Sequence, residues 1–375
     1  MSQEPQPTLQ LFVDLGSSIT KIVYTYQSKM SLLLMPPETA NVTLIRVKEF
    51  MDINFASSPV DGAWIKLEGE DAVVAVGRLA ENFNGNSALK QRKIQPGLYR
   101  ILGALGVLKA VLNLPNEFTC DLGIALPVAE YRDRQDLVDS IKANAQFICR
   151  DDSLSVNYQT IQILPEGMGL ILERRAEVRR LGLPRKSTVA LMCGHRNLSI
   201  LVFEGDSLKQ GHCRSDGPGF VHAIEIAAKQ LGVEPDIAGL VEAVAANHST
   251  LRVQGQLKPL DISQAVQEGR LGYWKMVEAY LKSNLPGGDY DLICGGGASW
   301  AMLEEFSALL SQSGFEGAGM DELYQRIDKL LHSDLKHEKG KPINLLLPMQ
   351  MADAYVGLYN LIALSNKRQA SLVGV

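Results

Sequence analysis

The chain carries one strand–turn–strand pattern twice, 178 residues apart. The stretches "LFVDLGSSITKIVYTY" (11–26) and "VALMCGHRNLSILVFE" (189–204) each read as a strand run, a turn containing glycine and a second strand run. Setting Gly16 over Gly194 lays Ile22, Val23 and Tyr24 over Ile200, Leu201 and Val202, so turns and strands match in length. One such hairpin in each half of a 375-residue chain argues for two similar domains rather than one enlarged core.

The segments between the hairpins alternate. "NVTLIRVKEF" (41–50), after a break at Pro36–Pro37, reads as a third extended run, and "DAVVAVGRLAENF" (71–83) as a strand entering a helix. "GLYRILGALGVLKAVL" (97–112) repeats apolar residues at helical spacing, "DLGIALPV" is a buried strand stopped by Pro127, and "EYRDRQDLVDSIKANA" is an amphipathic helix. In the second half, "GFVHAIEIAAKQLG" is a helix closed by glycine, and "QEGRLGYWKMVEAYLKSNL" a helix on which Tyr273, Val277, Tyr280 and Leu281 share a face. "DYDLICGGGASWAMLEEFSALL" is a strand, a glycine turn and a helix, and the polar stretch 332–342 is a surface loop. Strands alternating with helices predict layered α/β domains.

Composition excludes several classes. No apolar run approaches the roughly 20 residues that span a bilayer. The polar start "MSQEPQPTLQ" (1–10) has neither the basic nor the apolar part of a signal peptide and is expected to be a loose tail, so the expected location is the cytoplasm. A net charge of −5 offers no global field for DNA. The basic cluster at 172–186 is interrupted by acids and reads first as a solvated helix face. The five cysteines form no C-x-x-C pair, which argues against disulfides and structural zinc, and Cys149 and Cys294 lie in apolar runs as buried thiols. His212, His222, His248, His332 and His337 show no mutual spacing of a site.

Chemistry enters with the turn from Asp14 to Lys21. A turn of glycine and small serines lets backbone N–H groups approach phosphate oxygens. An acid at its mouth can face a magnesium ion or its waters, and a lysine at the start of the return strand adds a point charge. The same residues also suit an ordinary hairpin. Likewise Gly295, Gly296, Gly297 and Ala298, where a buried strand hands over to a helix, suit either a flat or anionic ligand or a tight turn packed on the core. They do not make the G-x-G-x-x-G dinucleotide pattern.

In this order the pieces resemble the actin-like ATPase superfamily. The first hairpin resembles its first phosphate loop, "ALMCGHRNLSIL" its second, "LICGGGA" its adenosine motif, and "ILPEGMGLIL" (163–172) and "MADAYVGLYNLI" (351–362) its two connecting helices. The opening "LLLMPPETANV" and the ending "ADAYVGLY" are most similar to the ParM group, the filament-forming ATPases of plasmid segregation. The resemblance implies an α/β, ribonuclease H-like two-domain ATPase fold with nucleotide in the interdomain cleft. It places domain I at 11–170 with a C-terminal helix (352–370) returning to it, and domain II at 171–351.

Residue by residue, the resemblance implies that Asp14 faces the metal and its waters, and that Gly16, Ser17, Ser18 and Lys21 hold the β- and γ-phosphates. Glu166 would position the attacking water, although after Pro165 it would also serve as a helix-start acid favoured by the dipole. Gly295 to Ala298 would lie against adenine and ribose. The second hairpin departs from the family pattern, with Met192 where an acid is usual and "HRN" for small residues. Either His195, Arg196 and Asn197, beside Gly194, donate to the γ-phosphate and give a slow ATPase, or hydrolysis or nucleotide binding is lost. The implied cofactors are ATP, with GTP the alternative, and Mg²⁺. The implied partners are further copies of the chain in a filament and a DNA-bound adaptor protein, with no direct DNA contact and no membrane. Two rival functions are a small-molecule kinase of the same fold and a nucleotide-binding scaffold that does not cycle.

Overall fold

A computed structural model describes residues 7–54, 58–85, 94–253, 255, 257–312, 320–332 and 346–373. Most of the expected tail (1–10) and of the polar loop (332–342) lies outside these. The chain divides into two compact units, Met1–Glu166 with Asp353–Val375, and Gly167–Ala352.

The first unit holds β1 (Leu9–Asp14), β2 (Thr20–Tyr26), β3 (Lys29–Met35), β4 (Thr39–Val42), α1 (Leu44–Asn54), β5 (Trp64–Leu67), β6 (Val73–Val76), α2 (Arg78–Glu81), α3 (Ile94–Leu112), β7 (Glu117–Leu126), α4 (Arg134–Ala143), β8 (Gln146–Cys149) and β9 (Asp152–Pro165). The strands form one sheet in the order β3-β2-β1-β7-β9-β8-β5-β6-β4. Only β1, β7 and β9 pair in parallel, so three strands end together at one edge, at Asp14, Leu126 and Pro165.

Strand periodicity assigns the two faces of β1. Leu9, Leu11 and Val13 enter the main core with Ile101, Leu105 and Leu108 of α3. Gln10, Phe12 and Asp14 point to the other face, where a Cβ on Gly123 or Gly357 would come within 2.2 Å or 2.5 Å of the Phe12 ring.

Two expectations for this unit change. "NVTLIRVKEF" is not one extended run: strand β4 ends at Val42 and α1 begins at Leu44. Thr43 starts the helix, its Oγ1 accepting from the Arg46 N–H at 3.5 Å, and Val47 is fully buried. The strand after β2 is instead β3, joined through Gln27 and Ser28 at φ of 49° and 64°. No glycine marks that turn, so the usual two-residue hairpin signal is missing. The tail also ends earlier than expected, because β1 starts at Leu9.

The second unit holds α5 (Met168–Leu181), β10 (Ser187–Cys193), β11 (Asn197–Glu204), β12 (Ser207–Leu208), β13 (Arg214–Pro218), α6 (Val221–Leu231), α7 (Leu240–Ala245), β14 (Thr250–Leu251), β15 (Leu260–Asp261), α8 (Ser263–Asn284), β16 (Tyr290–Gly295), α9 (Gly297–Ala301), α10 (Leu303–Gln312) and α11 (Met320–Leu331). Its main sheet runs β12-β11-β10-β16, with β13 on β11. Val189, Leu191, Leu198 and Ile200 pack there against α6 and against Tyr273, Val277 and Leu281 of α8. The last helix, α12 (Leu346–Val373), passes from this unit back into the first.

The two hairpins share one register. Asp14 stands opposite Lys21, and Met192 stands opposite Ser199. Each first strand also has a parallel neighbour, Ala125 beside Asp14 and Gly295 beside Met192. All five cysteines are buried. Among the described residues no helix is long and apolar enough to cross a membrane.

Candidate functional site

Five of the candidate residues gather in and around the β1–β2 turn. Asp14 is fully buried, and Lys21 returns across the ladder to place Nζ 2.5 Å from Asp14 Oδ2. Burial alone would depress the Lys21 amine, but Asp14, then Glu166 and Asp353, hold it above its ordinary value of 10.5. The lysine is therefore a fixed cation. Gly16 sits where a Cβ would lie 2.4 Å from the Ile19 carbonyl oxygen, while Ser17 is half-buried and Ser18 exposed.

Arg100 braces this turn from α3. Its Nη2 donates to Thr20 Oγ1 at 2.6 Å and to the Gly16 carbonyl at 2.7 Å, its Nε to Thr20 Oγ1 at 2.9 Å, and its Nη1 to the Leu15 carbonyl at 3.4 Å. Burial lowers its pKa to about 10, against the opposing pull of Asp14 and Glu38, so it stays charged near neutrality. Sequence inspection missed this residue. The available signal was one arginine inside the otherwise apolar helix "GLYRILGALGVL".

Glu166 leaves the carboxyl end of β9, its N–H donating to the Leu126 carbonyl at 2.7 Å. It lies in the turn before α5, not inside the helix. Asp14 and Glu166 thus end two strands of the parallel set β1-β7-β9, the edge at which open α/β sheets present their ligand groups.

The second unit gathers the remaining candidates. The β10–β11 turn of Gly194, His195, Arg196 and Asn197 closes by a Gly194 N–H bond to the Asn197 carbonyl at 2.9 Å. Its Gly194 and His195 carbonyls accept from Phe220 and Val221 at 3.1 Å and 2.9 Å, which ties the turn to the start of α6. Asn197 Nδ2 donates to the Ser215 carbonyl at 2.9 Å, Arg196 is exposed, and His195 is half-buried. Burial holds the His195 imidazole below its ordinary 6.5, with Glu225 pulling the other way, so it is neutral near pH 7. Met192 is buried, and its Cγ would be 2.6 Å from a Cβ on Gly167, the residue that follows Glu166.

The glycine run lies beside this turn, because β10 and β16 are parallel neighbours. Gly296 has φ 94°, and a Cβ there would meet the Cys193 carbonyl oxygen at 2.4 Å, so both backbone and space demand glycine. Gly295 is closed over by Leu170, Gly297 by Gln350, and Ala298 is buried. The expected helix after the run is interrupted: α9 has 5 residues and α10 starts after Met302.

The chemistry of the donor set can be compared with a magnesium-bearing phosphate. Asp14, Lys21 and the tight turn fit it, since magnesium takes one or two carboxylates together with substrate phosphates. The thioether of Met192 does not fit the ion. Among the described residues no three His, Cys, Asp or Glu side chains group closely enough to hold a metal by themselves.

Two α/β units, each with a hairpin in the same register and a parallel neighbouring strand, define an actin-like fold. Residues 13–169 match the family of actin-like protein N-terminal domains. Across nearly all of its length the chain is similar to solved structures. The actin-like protein Alp7A superposes with a TM-score of 0.63 at 14% identity, over 98% of this chain and 100% of that one. Bacillus thuringiensis ParM with AMPPNP gives 0.62 at 12%, over 96% and 99%. A 15-stranded ParM filament from Clostridium botulinum gives 0.61 at 15%, over 95% and 99%. No curated protein matches the sequence.

Proposed function

We propose that this chain is a nucleotide-dependent, filament-forming actin-like protein of the plasmid-segregation type, working in the cytoplasm. The observation that carries this reading is the buried Asp14–Lys21 pair, at the edge where β1, β7 and β9 end and Glu166 emerges. Support also comes from the similar structures, of which one is a ParM with AMPPNP and another a ParM filament.

In this proposal the nucleotide is ATP, with GTP the alternative; the β1–β2 and β10–β11 turns serve as phosphate loops, and Gly295 to Ala298 as the residues toward adenine and ribose. Lys21 pairs with phosphate oxygens, and Gly16, Ser17 and Ser18 offer backbone and hydroxyl donors. Asp14 faces the waters of a bound Mg²⁺, which would supply charge neutralisation at the phosphates. Glu166 orients the attacking water and accepts its proton. His195, Arg196 and Asn197 take the γ-phosphate side. Binding favours contacts between copies of the chain and hydrolysis weakens them, a population shift driven by one phosphate. A DNA-bound adaptor protein at the filament end would link it to cargo.

Met192 favours a second reading, a filament that assembles but turns over slowly, because its position lacks an acid. Light scattering followed together with phosphate release after adding Mg²⁺-ATP separates the two. A rise followed by decay marks a cycling filament, and a lasting rise marks the static one. No rise at any protein concentration rejects both.

A further inference from the structure

Helix α12 is laid along β1 in a register that can be read from three contacts. Ser365 Oγ donates to Asp121 Oδ2 at 2.6 Å, and Gln10 Nε2 donates to the same oxygen at 3.1 Å, which places Ser365 at the level of the Gln10–Asp121 pair. Two residues further along the strands, Phe12 and Gly123 are partners, and Gly357 packs on the Phe12 ring. The helix therefore runs opposite to β1. One further turn back along α12, roughly 6 Å for four residues, continues toward the Asp14 end of β1, which lies two residues, about 6.7 Å, beyond Phe12. That step leads from Gly357 to Asp353 and from Phe12 to Asp14.

Asp353 occupies the face of α12 that Gly357 presents to the sheet, since positions four apart stack on a helix. It is buried, 3% exposed, in a run of Met351, Ala352 and Ala354 that are fully buried. Lys21, the ladder partner of Asp14, lies on that same face of the sheet. At the equivalent place in the second hairpin stand Met192 and Ser199, with neither acid nor base.

We propose that Asp353 is a second magnesium-facing acid of the nucleotide site, so that the first unit supplies both carboxylates, Asp14 and Asp353. The inference rests on the nucleotide reading above. When a magnesium nucleotide arrives, Lys21 turns to the phosphates, and the two carboxylates beside it face the waters of the ion. Two carboxylates with the remaining places filled by water and phosphate are what magnesium commonly takes.

The test is a titration of a fluorescent ATP analogue against the full-length chain, first in EDTA and then at rising Mg²⁺. Asp353→Asn is expected to raise the half-saturating Mg²⁺ about tenfold, one pairwise interaction's worth, while leaving affinity in EDTA at the parent level. Asp353→Glu, which keeps the charge, should keep the parent Mg²⁺ dependence. Asp353→Ser serves in the same titration should the asparagine variant fail to fold. An unchanged Mg²⁺ dependence in the neutral variants overturns the inference, as does an equal loss with and without Mg²⁺, which would mark a structural role. Failure of the parent itself to bind the analogue would instead reject the nucleotide reading.

Discussion

Lys21 Nζ and Asp14 Oδ2 lie 2.5 Å apart across the β1–β2 ladder, with the carboxylate entirely out of solvent. Breaking one partner of such a pair leaves a buried charge alone, which costs about 3–5 kcal/mol, whereas replacing both is far milder. Lys21→Met should therefore lower stability by that order in urea unfolding, and adding Asp14→Leu should recover most of the loss. Equal instability of the single and double variants would show that the pair is not the reason.

Arg100 should behave differently from a surface arginine. Its donors reach Thr20, Gly16 and Leu15 from within the core. Arg100→Met leaves the Gly16 and Leu15 carbonyls and the Thr20 hydroxyl without these donors, at about 2–4 kcal/mol in total. Arg100→Lys should rescue little, since an ammonium cannot reproduce the fork. Full recovery by lysine in a denaturation curve would contradict this.

The contact between α12 and β1 predicts a coupled pair. A Cβ at Gly357 comes within 2.5 Å of the Phe12 ring. Gly357→Ala should cost about 1–3 kcal/mol through overpacking. Phe12→Leu in the same chain should make that second change cheaper, a coupling measured by a double-mutant cycle. Strictly additive effects would mean that the helix does not rest on the ring.

The His195 imidazole gives a pH dependence of known sign. Its folded value lies below 6.5 because of burial, so between the two values the unfolded chain carries more protons. Stability should fall as pH drops from about 6.5 toward the folded value, and be indifferent to this group above. His195→Gln should flatten that slope in urea midpoints recorded from pH 7.5 to 5.5. A parent and variant that lose stability in parallel would contradict it.

Met192 is a place where restoring an acid should trade stability for metal response. It is 5% exposed and packed toward Gly167 and Leu201. Met192→Asp should lower the melting temperature without ligand, since a carboxylate there is buried. With Mg²⁺-ATP the variant should gain more in melting temperature than the parent does, by linkage. A smaller gain than in the parent would argue that the position does not face the ion.

Much of the architecture was legible because its signals are local. The two hairpins, the glycine-closed helix α6 and the buried strand "DLGIALPV" announce themselves through alternation, breakers and spacing. The aligned repeat even gave the shared register, with Asp14 and Met192 at equivalent positions. The turn at Gln27–Ser28 escaped because positive φ there is carried by residues that seldom adopt it. Around the candidate site, order along the chain pointed to the turn residues and Glu166, and the structure sets Asp14 at the end of β1 and Glu166 directly after β9. Arg100 and Asp353 were not readable in this way, because each acts at a distance, Arg100 on a turn 80 residues before it and Asp353 on a strand at the other end of the sequence. What placed them was helix-to-sheet packing, which a single sequence does not display.

The brace that α3 gives the first turn has a bearing on rates. A loop moulded from inside by a buried guanidinium surrenders little disorder when cargo settles, so capture wastes little of the binding energy on tidying the receptor. In the proposed nucleotide cycle, turnover would then follow how fast the spent molecule departs, with the loop itself standing ready for the next.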